Sequence, residues 1–173
     1  MIVGITGNPN SGRKTAAKIL QRMCNIQYNF DILDDYKVDL RDFVLSKTGI
    51  STFSRSKLEK TIIDEFVESY RRMLNRVNPD IELNIFKDKI NKSSGNIIVT
   101  GNFGNDLYSY IKDNGGEIVY VFINSEIVVR PPLPTEQFKN QLVWERSNNN
   151  EYLSDTLSIQ LKGLISKLKN EQH

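Results

Sequence analysis

Hydrophobic positions along this chain fall into two rhythms, and the switches between them predict its elements. Ile2, Val3 and Ile5 form a short β-branched run that reads as a strand. From Gly12 to Cys24 the period changes. Ala16, Ile19, Leu20 and Met23 recur on one helical face, and Cys24 belongs to that buried side. Ile26, Tyr28, Phe30 and Ile32 then alternate, which suggests a second strand within Asn25–Tyr36, ending in Asp34-Asp35. Helices are expected over Val38–Lys47, stopped by Gly49, over Arg55–Val77 and over Asp80–Ile90. The second of these has Ser54 as its expected cap and an apolar stripe that includes Leu58, Ile62, Phe66 and Tyr70; Pro79 ends it. Asn96–Thr100 (NIIVT) and Glu117–Ile123 (EIVYVFI) are strand-like runs, the first without alternation, as in parallel strands covered on both faces. A helix over Asp106–Asp113, closed by Asn114-Gly115-Gly116, separates them. Ser125–Thr135 holds Pro131, Pro132 and Pro134 and reads as a loop or lid. A short helix carrying the only tryptophan, Trp144, is expected over Glu136–Arg146. A C-terminal amphipathic helix runs from Tyr152 or Leu153 to Leu168, with Leu157, Leu161, Leu164, Ile165 and Leu168 facing the core.

Strands alternating with helices make right-handed crossovers around a parallel sheet, so the expected class is α/β, a three-layer sandwich with a mostly parallel sheet. At 173 residues the expectation is a single domain over 1–173. The helices of 38–92 have no strand of their own and form an expected helical insertion. Composition narrows the chemistry. A net charge of +2 gives no strong nucleic-acid or membrane signal. One cysteine rules out a disulfide framework and a Cys-based zinc site, and the one histidine is His173, the last residue, which removes His-dependent catalysis. No apolar run reaches membrane-spanning length, and no basic region precedes an apolar stretch at the N-terminus, so a cytoplasmic location is expected.

The candidate chemistry lies in the first twenty residues. A strand runs into Gly7-Asn8-Pro9-Asn10-Ser11-Gly12, followed by Arg13, Lys14 and Thr15 and an alanine-rich helix. Strand, glycine-bounded loop, cation, hydroxyl and helix is the order of a phosphate-binding P-loop. Backbone N–H groups from Gly7, Asn8, Ser11 and Gly12 would converge on an anion, with the positive end of the helix dipole behind them. The strict pattern asks for Gly-Lys-Ser/Thr, and this chain has Arg13 in the lysine slot and Lys14 in the hydroxyl slot. Arginine keeps the charge on a bulkier planar fork that can clamp a phosphate through two hydrogen bonds.

Four stretches, in order, resemble the deoxynucleoside monophosphate kinases of bacteriophages, a branch of the P-loop kinases. They are Ser11-Gly12-Arg13-Lys14-Thr15; Leu40-Arg41-Asp42 through Gly49; Ile62-Ile63 through Arg71 and Asn78-Pro79-Asp80; and Ile97 to Asp106 with Ile111 and Gly115-Gly116. The chain departs from that family at Arg13, at Thr100-Gly101-Asn102 where an acid and an arginine are missing, at Asp106 in place of glutamate, and at Val67 in place of a glycine. The resemblance implies a P-loop kinase fold, ATP and Mg²⁺ as cofactors, and a deoxynucleoside monophosphate as phosphate acceptor. It implies catalytic roles for Arg13, Lys14, Arg71 and Asp106, nucleotide contacts from Gly7 to Thr15 and from Arg130, acceptor contacts from Asp34, Arg41 and Arg71, and Thr15 as the Mg²⁺ hydroxyl. Asp35 and Arg72 are further candidates. Each has a plainer alternative. Asp34-Asp35 would equally cap the next helix, Asp106 would cap its own, and the arginines would face water. Nucleotides are the expected ligands; a homodimer or a protein partner is left open. A kinase fold that has lost turnover and serves as a nucleotide-binding or assembly subunit is the alternative, and a kinase for another small acceptor is a third.

Overall fold

A computed structural model describes residues 1–8, 10–123, 140–145 and 149–170. Strand β1 (Ile2–Gly7) is buried at every position, as its β-branched run requires. It lies between β3 (Ile97–Thr100) and β4 (Glu117–Ile123) and is parallel to both, with Ile5 opposite Thr100 on one side and Val119 on the other. The sheet has five strands in the order β2-β3-β1-β4-β5, with β2 spanning Tyr28–Asp31 and β5 spanning Asn140–Trp144. Parallel pairing brings the carboxyl ends of β1, β3 and β4 to one edge, where open α/β sheets bind their ligands.

Helix α1 (Arg13–Met23) buries Ala16, Ala17, Ile19 and Leu20. Together with the C-terminal helices it closes one face of the sheet over Val3, Ile5, Ile98, Val119, Val121 and Leu142. On the opposite face Phe103 and Ile111 lie over Gly4. Ile111 belongs to α5 (Asn105–Asp113), whose Leu107 is buried too. The three-layer α/β expectation therefore holds.

Several boundaries differ from the sequence reading. The expected helix over Glu136–Arg146 is strand β5 across its described part. Leu142 and Trp144 are buried while Gln141 and Val143 are exposed, a period of two that pairs in register with β4 from Val119–Asn140 to Ile123–Trp144. The C-terminal helix is two helices, α6 (Asn150–Gln160) and α7 (Lys162–Asn170), separated at Leu161, whose φ of −108° and ψ of 23° leave helical geometry. Both still bury the expected leucines. At the outer side of β5 the Gln160 carboxamide bonds both main-chain groups of Val143. Its Oε1 accepts from the Val143 N–H at 2.7 Å, and its Nε2 donates to the Val143 carbonyl at 2.7 Å.

The chain divides into two compact units, Met1–Phe30 with Asp88–His173, and Asp31–Lys87. The second unit carries α2 (Asp34–Thr48), α3 (Lys57–Val77) and most of α4 (Ile81–Asn91). Helix α2 starts four residues before the expected Val38, with Asp34 and Asp35 in its first turn, where carboxylates complement the helix dipole. Helix α3 starts at Lys57, and its cap is Ser56, which accepts from the Glu59 N–H; Ser54 instead donates to the Glu59 carboxylate. Tyr36, Leu40, Val44, Ile63 and Val67 form this unit's core. The stripe Leu58, Ile62 and Phe66 lies outside it and is exposed.

Tyr36 is buried, and its hydroxyl has no hydrogen-bond partner among the described residues. Burial, reinforced by the nearby Glu82 carboxylate, pushes its phenol from 10.0 up to about 12. Below pH 10 both folded and unfolded chains keep this proton and stability is insensitive to it. As pH rises from 10 towards 12 the unfolded chain ionises first, so stability falls. Tyr36→Phe is expected to leave neutral-pH stability unchanged or raise it by up to about 1 kcal/mol, because a buried unpaired hydroxyl is removed. It should also lessen the alkaline loss. Urea melts of both proteins at neutral and alkaline pH check both statements.

Candidate phosphate-binding site

The loop between β1 and α1 is built by backbone conformation. Asn10 takes a left-handed φ of 62° and Gly12 a φ of 87°, with an N–H···O bond of 3.1 Å from Ser11 to the Asn8 carbonyl closing the turn between them. At Gly12 the reason for glycine is double. The conformation is one that side chains resist, and a Cβ there would stand 2.7 Å from Cζ2 of Trp144. Gly7, at a φ of 151°, faces the Val121 carbonyl so closely that no Cβ fits. Gly12→Ala is therefore expected to cost about 1–2 kcal/mol from the left-handed backbone, with further loss from displacing the indole. The readout is a lower urea midpoint.

Trp144, at the end of β5, braces this loop from behind. Its Nε1 donates to the Ser11 carbonyl at 3.0 Å, and its ring packs on Gly12. Tyr120 on β4 donates a long, 3.5 Å bond to Oδ1 of Asn8. Burial pushes the Tyr120 phenol up, and the positive charge of Arg13 pulls it back, so loop, phenol and guanidinium share one environment. Sequence reasoning passed over Tyr120 and placed Trp144 on a helix. The alternation of Leu142 with Trp144 was the available signal.

The start of α1 is electrostatically unusual. Its first turn holds Arg13 and Lys14 and no acid, and no side chain caps it. Cations oppose the positive end of a helix dipole, and the first N–H groups have no intrahelical acceptor. An anion in front of the loop would answer both. The Ser11 hydroxyl adds to this picture, since it is buried and has no hydrogen-bond partner among the described residues. Lys14 and Thr15 are exposed and Arg13 is half-buried. A Mg²⁺ ion suits the Thr15 hydroxyl as one ligand among phosphate oxygens and waters, since Mg²⁺ takes few protein ligands. Among the described residues no group of three or more His, Cys, Asp or Glu forms a metal site without a nucleotide.

The remaining candidates are on other elements. Asp106 is exposed in the first turn of α5, past β3, and the cap of that helix is Gly104 and not Asp106. Thr100 is buried at the end of β3, and no carboxylate stands in Thr100-Gly101-Asn102. In the second unit Asp34 accepts from the Asp31 N–H at 3.3 Å. Arg41 is exposed and touches only its exposed neighbour Asp42, at 3.2 Å, among the described ion pairs. Arg71 is buried. Its Nε and Nη2 both donate to the Glu82 carboxylate, the latter at 2.7 Å, and its Nη1 reaches Glu68 at 3.2 Å. Burial alone would lower its pKa; the hydrogen bonds and charges of Glu82 and Glu68 outweigh that and raise it. Arg72 contacts Glu68 at 3.7 Å. Arg130 lies outside the described residues.

No family model matches the chain, and no curated protein matches it. Solved structures do. It is similar to TT1252 from Thermus thermophilus, with 16% identity over 97% of both chains and a TM-score of 0.51. It is also similar to shikimate kinase from Aquifex aeolicus vf5, with 18% identity over 95% of this chain and 98% of that one, at a TM-score of 0.49. At such identities the likeness concerns the fold alone. The chain has a three-layer α/β fold with a mostly parallel sheet, and the likeness stops at the fold, without reaching the deoxynucleoside monophosphate kinases.

Proposed function

We propose that this protein binds ATP at the Gly7–Thr15 loop and transfers its γ-phosphoryl group to a small acceptor, with a deoxynucleoside monophosphate the first candidate. The observation that carries the reading is the start of α1, where two cations and an uncapped helix end stand behind a loop held in left-handed turns. That arrangement is stable around a polyphosphate and poorly suited to water alone. Phosphoryl transfer asks chiefly for positioning and charge neutralisation, which this loop, Arg13 and Lys14 supply. Thr15 would hold Mg²⁺ bound to the phosphates. Arg41, Arg71, Asp34 and Asp106 remain the proposed acceptor-side and catalytic groups on the strength of the bacteriophage resemblance, and Arg130 the proposed lid contact.

The lack of a carboxylate at Thr100–Asn102 favours a second reading, a kinase fold that retains nucleotide binding without turnover. One set of measurements separates the two. Trp144 is the only tryptophan and touches the loop, so its fluorescence should change on titration with ATP and Mg²⁺. ADP formation is then followed with each of the four deoxynucleoside monophosphates. Turnover that needs an acceptor and disappears in Thr15→Ala and Arg13→Ala supports the kinase. ATP binding without turnover supports the second reading, and a silent Trp144 together with no ATP binding defeats both. Turnover only with another phosphate or hydroxyl compound would move the acceptor class and keep the reaction.

A further inference from the structure

The exposed apolar stripe of α3 has an order that the phosphate site does not explain. Nine of the twelve exposed large hydrophobic residues among the described ones fall between Val38 and Val77, and five are on α3. These are Leu58, Ile62, Phe66, Met73 and Val77, exposed by 72, 51, 43, 53 and 81%. At 3.6 residues per turn they fall within an arc of about 100°, beside the arc that buries Ile63, Val67 and Arg71. Ser69 sits in the same arc, midway along it. Its hydroxyl is satisfied within the helix by the Glu65 carbonyl at 2.9 Å, so it can be covered without loss.

With Ser69 included, the stripe has intervals of four, four, three, four and four residues, the same in either direction along the helix. One flank carries Glu65 towards the N-terminal half and Arg72 and Arg76 towards the C-terminal half, all exposed. We propose that this stripe is where α3 pairs antiparallel, about a two-fold axis between Phe66 and Ser69, with α3 of a second copy of the chain. Antiparallel pairing sets Leu58 opposite Val77 and Ile62 opposite Met73, and the small Ser69 opposite Phe66 lets the helices approach. It also sets each Glu65 beside the Arg72 of the other copy. An isologous contact requires this self-complementarity of shape and charge.

Sedimentation of the full chain over a concentration series tests the proposal. A monomer–dimer equilibrium is expected. Phe66→Asp should weaken it by about thirty-fold or more, the effect of losing a central anchor. Its circular dichroism should be unchanged, because Phe66 is outside the core. Glu65→Arg and Arg72→Glu should each weaken the dimer, and the double reversal should restore it. A chain that stays monomeric at every concentration overturns the proposal. So does a dimer indifferent to all these changes, and so does a stripe that becomes covered only when a different protein is added.

Discussion

Replacing Trp144 by alanine is expected to destabilise the protein by about 3–5 kcal/mol, the range for removing a buried tryptophan from a packed core. The urea midpoint measured by far-ultraviolet circular dichroism reads this loss. The cause is specific. Trp144 is 4% exposed, belongs to the same core as Leu142 and Leu153, and fills the space against Gly12. On the proposed ATP site, the variant should also bind ATP several-fold more weakly under conditions where it remains folded, because the Ser11 carbonyl loses its indole donor and the loop its backing. Trp144→Phe separates the two effects. It keeps most of the apolar area and loses the hydrogen bond, so it should cost about 1–2 kcal/mol and still weaken ATP binding. A Trp144→Phe variant with unchanged ATP affinity would show that the brace serves the core alone.

The second large effect is expected at Arg71. Arg71→Ala leaves the largely buried Glu82 carboxylate, and the half-buried Glu68 beside it, facing an empty space, and breaking such a pair from one side costs up to about 3–5 kcal/mol. Replacing both partners, as in Arg71→Met with Glu82→Leu, should recover most of that loss. Urea melts of the single and double variants measure the difference. An acceptor-phosphate ligand predicts another signature: Arg71→Ala would keep its stability and lose affinity for the acceptor. The observed pairing with Glu82 predicts the stability loss, and the proposed acceptor role predicts lost acceptor affinity; an Arg71→Ala protein as stable as the parent would overturn the first.

The turn between β1 and α1 was legible in the sequence because its conformation is written in local residue types. Gly7, Gly12 and the cations that follow need no distant partner to be noticed. The central strands were legible for a similar reason, since continuous β-branched runs admit few other solutions. What escaped depended on contacts distant in the chain. Residues 140–144 form a strand because β4 offers a free edge in register, a fact that no five-residue window contains. For Arg71 the helix presents an arginine beside a resembling motif, but its partner Glu82 lies on the next helix, so the pairing was not legible locally. On α3 the periodicity was plain, yet an apolar stripe records only that a face is apolar. Ile63 and Val67, one position further round the helix, are the ones the unit's core takes up.

The carboxamide of Gln160 has a consequence for how copies of this protein can meet. By occupying both hydrogen-bonding groups of Val143, it blocks the outer rim of β5 near its carboxyl end, where an unguarded rim would accept a strand from a neighbouring molecule. Open-ended growth of a continuous sheet from copy to copy is thereby discouraged on that side.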